Sequence, residues 1–164
     1  MMTPSGTTYT RTQSLLSLHR WLRALPLLCF MFCGSAQAQL SERFGDYELH
    51  YSVVNTTFIE PAVAAQYGLA RGSRRAIINL SLREHLADGS TAAREMSLEG
   101  RSWDLTQSQV NFDFIEVREG PALYYIGEFK FINREWRFFE INFSPEGTEE
   151  TFSVEFKQQM YIND

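Results

Sequence analysis

From residue 46 onward, apolar and polar residues alternate with period two along almost the whole chain, the signature of β-strands with one buried face. Tyr47, Leu49, Tyr51 and Val53 fall on one side, and Asp46, Glu48, His50 and Ser52 on the other. Ala76, Ile78, Leu80 and Leu82 alternate with Ile77, Asn79, Ser81 and Arg83, after which Asp88-Gly89 supplies hairpin turn chemistry and predicts a return strand within Thr91 to Arg101. Val110, Phe112 and Phe114 alternate with Asn111 and Asp113, and the phase then slips at Ile115 and Val117, as a β-bulge would make it. Turns at Glu119-Gly120-Pro121, Asn133-Arg134-Glu135 and Ser144-Pro145-Glu146-Gly147 separate Leu123 to Ile132, Trp136 to Phe143 and a last strand through Phe152, Val154 and Phe156. About seven short antiparallel strands in this length predict an all-β two-sheet sandwich of immunoglobulin-like topology, with a closed barrel as the competitor.

One segment departs from the alternation. Pro61-Ala-Val-Ala-Ala-Gln-Tyr67 has proline at a first helical position, alanines behind it and Gly68 as a stop. It predicts one short helix over 61–67, expected to cap an open end of the sandwich.

The N-terminus has a different pattern. Arg11, His19, Arg20 and Arg23 occur with no acidic residue before the apolar run Ala24 to Cys33, and Gly34-Ser-Ala-Gln-Ala38 is a small-residue cleavage pattern. The run is about ten residues, half of the roughly 20 that span a bilayer as a helix. The expectation is a signal peptide over 1–38, cleaved after Ala38, and a single domain over 39–164, periplasmic or secreted. Cys29 and Cys33 follow Leu28 and Phe32, not the small residue of a lipidation site. The long basic region leaves the true start codon open.

Removing that leader changes the composition that matters. Both cysteines leave with it, so no disulfide is expected in an oxidising compartment. The remainder carries 12 basic and 20 acidic residues, a net of −8. Nucleic acid is an unsuitable partner for such a chain, and the scattered acids read as a solvated surface.

Several strings resemble a known family. They are Phe44-Gly-Asp-Tyr-Glu-Leu-His-Tyr51, Asn55-Thr-Thr-Phe-Ile-Glu-Pro61 and Ala64-Ala-Gln-Tyr-Gly-Leu-Ala-Arg71, then Ile78-Asn-Leu-Ser-Leu82, Leu123-Tyr-Tyr-Ile-Gly-Glu-Phe129 and Phe152-Ser-Val-Glu-Phe156. Together they are similar to small exported proteobacterial proteins of the DUF4426 kind, a domain of unknown function. The resemblance covers nearly all of 39–164. It implies export and an all-β domain, and it brings no activity, cofactor or catalytic residue with it.

The chemistry of the residues narrows the reading further. His50 and His85 are the only histidines after the leader, with no cysteine and no closely spaced ligand pair, so neither a metal site nor a cofactor is expected. There is no Gly-x-Ser-x-Gly and no cysteine nucleophile, which argues against an enzyme. The Arg71-Gly-Ser-Arg-Arg75 stretch lacks the strand–loop–helix setting of a phosphate loop. Ligand binding is assigned instead to His50, Tyr51, Asn55, Tyr67 and Arg71, with Tyr124 and Tyr125 as neighbours, since polar-tipped aromatics and an arginine suit a concave site. The same residues also fit a plainer account of core tyrosines and turn-closing polar groups. Trp136 and Phe138 share a face with Glu140 and Asn142 and are candidates for an exposed partner patch. The expected function is a non-catalytic binding or adaptor module for an unknown protein, peptide or small ligand, with no membrane insertion. The alternatives are a small hydrolase or isomerase around His50, Tyr67 and Arg71, and an assembly protein that pairs through an edge strand.

Overall fold

The structure is a computed structural model that describes residues 40–163; the expected leader and its cleavage site lie outside them. Two antiparallel sheets face each other. The larger contains β1 (Leu40–Phe44), β2 (Tyr47–Asn55), β3 (Arg75–His85), β8 (Ala122–Lys130) and β7 (Ile115–Glu119) in that order, with β4 (Thr91–Arg94) paired to the far part of β3. The smaller runs β10 (Phe152–Gln159), β9 (Trp136–Pro145), β5 (Met96–Asp104), β6 (Gln109–Asn111). The order β2-β3-β8-β7 opposite β10-β9-β5 is that of the immunoglobulin fold. Those seven strands match the expected number, and the short β1, β4 and β6 are additions to them.

Alternation decides which side chains meet between the sheets. Leu49, Ile78, Leu80, Leu82, Phe139, Ile141 and Phe143 are almost fully buried there. Aromatic rings bridge the layers: Tyr51 packs on Phe156 (centroids 4.6 Å) and Phe129 on Phe139 (5.5 Å), while within the smaller sheet Phe156 stacks on Phe139 (4.7 Å, 9°). Such pairs add about 0.5–1.5 kcal/mol each beyond their buried area.

Three details differ from the sequence reading, each for a local reason. The return strand after Gly89 divides: Thr91–Arg94 pairs with β3, and Met96–Asp104 crosses to the other sheet to pair with β9. The phase slip near Ile115 is a change of sheet rather than a bulge, since β6 pairs with β5 while β7 pairs with β8. Phe112 and Phe114 fill the crossing, and glycines leave room for them: a Cβ on Gly127 would meet Phe112 at 3.1 Å, and one on Gly100 would meet Phe114 at 3.0 Å. The helix α1 (Pro61–Gln66) forms as expected, but it lies on the outer face of the larger sheet instead of capping an end. Ala64 and Leu69 pack there on Val54, Ile77 and Ile126, which give that face an apolar patch needing cover.

Strand register separates two ends. One gathers the β1–β2 turn, the β3–β4 loop, the β7–β8 turn and the β9–β10 loop. The other gathers the 3-10 turn Thr56–Phe58 after β2, the entry to β3, the β5–β6 loop, the β8–β9 turn and the segment after β10. Hydrogen bonds knit this second end together. Phe131 N–H donates to Arg74 O (3.0 Å), Arg134 N–H to Met160 O (2.7 Å), and Asn55 Nδ2 to Tyr161 O (2.7 Å).

Candidate functional site

The seven residues assigned to ligand binding do not gather at one place. Tyr51 and Tyr125 point into the core, where burial raises the pKa of both phenols, and the Tyr125 hydroxyl accepts from Met96 N–H at 3.2 Å. Asn55 ties β2 to the C-terminal segment. Arg71 donates to the carbonyls of Thr56 (3.3 Å) and Thr57 (3.0 Å), which pins the loop after α1 to the 3-10 turn. Thr56 completes that junction: its buried hydroxyl accepts from Gly72 N–H at 3.0 Å. Tyr67 donates to Glu119, a bond that holds its phenol above the usual range, and Tyr67 lines a separate cleft of about 490 Å³ with Arg75, Ile126 and Glu128.

His50 and Tyr124 do come together. They line a recess of about 470 Å³ on the outer face of the larger sheet, with Glu48, Ser81, Arg83 and Thr91. Strand pairing explains the convergence. His50 lies opposite Ser81, Glu48 opposite Arg83, and Tyr124 one step beyond the Leu80–Tyr125 pair. All take the parity that points away from the core, and α1 covers only the other half of this face.

Glu48 is the centre of the recess. His85 Nε2 lies 2.9 Å from Glu48 Oε2, and His50 Nε2 lies 3.7 Å from Glu48 Oε1. Both histidines among the described residues therefore face one carboxylate, each side chain about three-quarters buried. Hydrogen bonds from Ser41 and then His85 hold the Glu48 carboxyl below the usual carboxylate range. Arg83 donates to Thr91 Oγ1 (2.7 Å) and Thr91 O (2.8 Å), which fixes its guanidinium at the rim. On the same face, two residues along β3 from Ser81, Asn79 has a buried Oδ1 with no hydrogen-bond partner.

This constellation can recognise a small polar ligand by hydrogen bonding. It offers a carboxylate, two imidazoles, hydroxyls and a phenol. Among the described residues no hydrogen bond joins either imidazole to a serine or threonine hydroxyl, the contact of an activated nucleophile. No group of three or more His, Cys, Asp or Glu residues among them is arranged to hold a metal ion. Sequence reasoning named His50 and Tyr124 but missed Glu48, Ser81, Arg83, His85 and Thr91. The parity of Glu48 with His50 was the available signal.

A two-sheet immunoglobulin-like domain with a polar recess on one outer face is the class that this architecture defines. The chain belongs to the DUF4426 family, "Domain of unknown function (DUF4426)", whose sequence model matches residues 41–163. It is similar to the crystal structure of a DUF4426 family protein from Pseudomonas aeruginosa PAO1, at 29% identity and TM-score 0.68 over 79% of this chain and 99% of that one. Its fold is also similar to that of FetP from uropathogenic E. coli strain F11, at 9% identity and TM-score 0.57 over 76% of this chain and 95% of that one. A copper-bound variant of FetP gives 10% identity and TM-score 0.55 over 77% and 97%. No curated protein matches the chain.

Proposed function

We propose that the chain is exported through a leader cleaved near Ala38 and that its domain is a non-catalytic binding or adaptor module, with the recess around Glu48, His50 and Tyr124 as its ligand site. The observation that carries this reading is the meeting of both described imidazoles, His50 and His85, at the one carboxylate, Glu48, that lines an open recess. A small polar molecule fits such a site better than an apolar one, because burying these groups without new partners would cost about 1–3 kcal/mol each. The unpartnered Asn79 Oδ1 adds an acceptor on the same face. A periplasmic location is supported by the fold likeness to FetP, which was recombinantly expressed in the periplasm. Copper is the ligand of a FetP variant, so Cu²⁺ is one arm of the test here.

That test is amide-shift NMR on the protein titrated in turn with a dicarboxylate, a mixture of free amino acids, inorganic phosphate and Cu²⁺. The expected result is saturable movement of the Ser81, Arg83 and Tyr124 amides with one of these, abolished by Tyr124→Ala combined with Ser81→Leu. If all four leave those amides still, or move only amides elsewhere, the reading fails.

A second reading has its own observation. β10 is an eight-residue sheet edge in unbroken register with β9, suited to adding a strand from another chain. A monomer by sedimentation that stays monomeric with envelope extract would count against it.

A further inference from the structure

The two ends of the sandwich carry opposite charge. At the second end, segments 56–60, 68–75, 104–108, 130–137 and 157–163 hold seven basic and three acidic residues. At the first end, 43–48, 83–95, 116–120 and 145–151 hold ten acidic and four basic residues. The pairing differs as well. Two basic residues of the first end are in ion pairs, Arg94 with Glu84 (3.5 Å) and Arg118 with Glu95 and Glu116 (2.7 Å each), while Arg43 and Arg83 donate to the carbonyls of Gly45 (2.9 Å) and Thr91 (2.8 Å). At the second end only Arg137 is so paired, while Arg71, Arg74, Arg75, Lys130, Arg134 and Lys157 form no ion pair among the described residues.

Apolar exposure follows the same division. Among the described residues the three most exposed large apolar side chains are Phe58 (70%), Leu105 (69%) and Ile132 (67%), and all three sit on turns or loops of the basic end. Tyr161 and Trp136 are exposed there too, the latter with Lys157 Nζ 5.4 Å from its ring centroid. The acidic end exposes Leu86.

We propose that this basic end docks peripherally on an anionic lipid surface. Free cations and separate apolar tips are the two attractions that hold a protein at such an interface. Cations near the surface gain from its negative potential, and each tip buries among the headgroups while arginine and lysine heads stay at the phosphates. Trp136 and Tyr161 suit the interfacial layer, where amphipathic rings accumulate. A protein partner would be better served by a contiguous apolar patch with a polar rim. Here each tip rises from a different loop with charges between. The acidic end, at the far side, is repelled by the same surface, which fixes the orientation. The contact is peripheral: among the described residues no helix is long and apolar enough to cross a membrane. The recess of Glu48 and His50 lies on a face that this docking does not cover, so the two proposals stand or fall separately.

The experiment is co-sedimentation of the full chain, with the same N-terminus in every variant, on phosphatidylglycerol or phosphatidylcholine vesicles. Binding to phosphatidylglycerol is expected at about 50 mM salt, with weakening as salt rises and little retention on phosphatidylcholine. Arg74→Gln and Arg134→Gln should each lower partitioning roughly fivefold. Phe58→Ser with Ile132→Ser should lower it further, while Leu86→Ser changes nothing. Circular dichroism shows whether each variant is folded. Absence of binding to phosphatidylglycerol, or binding that the folded basic-end variants do not weaken, overturns the proposal. So does retention on immobilised polyglutamate without vesicle binding, which would mark an acidic protein as the partner.

Discussion

The two ends of the sandwich are built from the same kind of part, strands joined by tight turns, yet they solve the turn differently. At the acidic end the left-handed positions are all glycine: Gly45, Gly89, Gly120 and Gly147. At the basic end, beside Gly68, Gln107 and Arg134 adopt the same conformation (φ 67° and 65°) with full side chains. A non-glycine residue there costs about 1–2 kcal/mol. Glycine relaxes one end for stability. The other retains long polar side chains where they cost most, and its core is different too. Arg137, 4% exposed, reaches between the sheets there, with Nε 3.0 Å from Glu135 Oε1, Nη1 donating to Ser102 Oγ at 3.0 Å, and its guanidinium over Phe129. The corresponding positions at the acidic end are apolar, among them Met96, Phe143 and Pro145.

The comparison can be broken most forcefully at Arg137. Arg137→Ala leaves Glu135 and Ser102 without their partner and should lower unfolding free energy by about 3–5 kcal/mol, whereas Arg137→Met, which keeps the packing, should lose much less; urea denaturation of both decides it. Gly100→Ala is the control that belongs to neither end. Its Cβ would meet Ile141 Cδ1 at 2.6 Å, and overpacking of this kind should cost about 1–3 kcal/mol, read in the same experiment. A reciprocal exchange sharpens the turn argument: Gln107→Gly should stabilise, and Gly89→Gln destabilise, each by about 1 kcal/mol in thermal melts. Equal effects of the same sign would remove the distinction between the ends.

The smallest effect is acid sensitivity. Asp88, bonded by Ser90, and Glu95, bonded by Arg118, are held below the ordinary carboxylate range at the acidic end. Asp104, bonded by Thr106, is so held at the basic end, as is Glu48 in the recess. With folded values below unfolded ones, the unfolded chain takes up protons first as pH falls. Their stabilisation is therefore complete above the ordinary carboxylate range near pH 4, and is lost as pH drops through the lower folded values. Asp88→Asn with Glu95→Gln should flatten the fall of melting temperature between about pH 5 and 2.5, and Asp104→Asn should flatten it less.

Much of the fold was legible because period two is a strong local signal. Most of the immunoglobulin-like strands announce themselves in that way, and the helix behind Pro61 does so by breaking the alternation. What failed was anything decided by distant partners. The slip at Phe112 to Ile115 reads the same whether a strand bulges or leaves its sheet, and only pairing with β5 and then β8 distinguishes them. The site was legible in part for a similar reason. Parity put His50 outward and Tyr51 inward, but the assembly of Glu48, Ser81, Arg83, His85 and Thr91 depends on the β2–β3 and β3–β4 registers, between residues up to 37 positions apart. The oppositely charged ends were hidden because neither is contiguous in sequence.

The crossing at Phe112 to Phe114 also bears on how the chain reaches this state. Because the backbone leaves the smaller sheet there, builds β7 and β8 in the larger one and then returns as β9, neither sheet is a continuous stretch of sequence. Arg75 must find Lys130, and Met96 must find Pro145, before either layer closes. Such non-local pairing places folding in the range of about milliseconds to seconds and leaves no half that a ribosome could release already finished. The domain assembles as one cooperative unit, so its basic and acidic poles come into being in the same event.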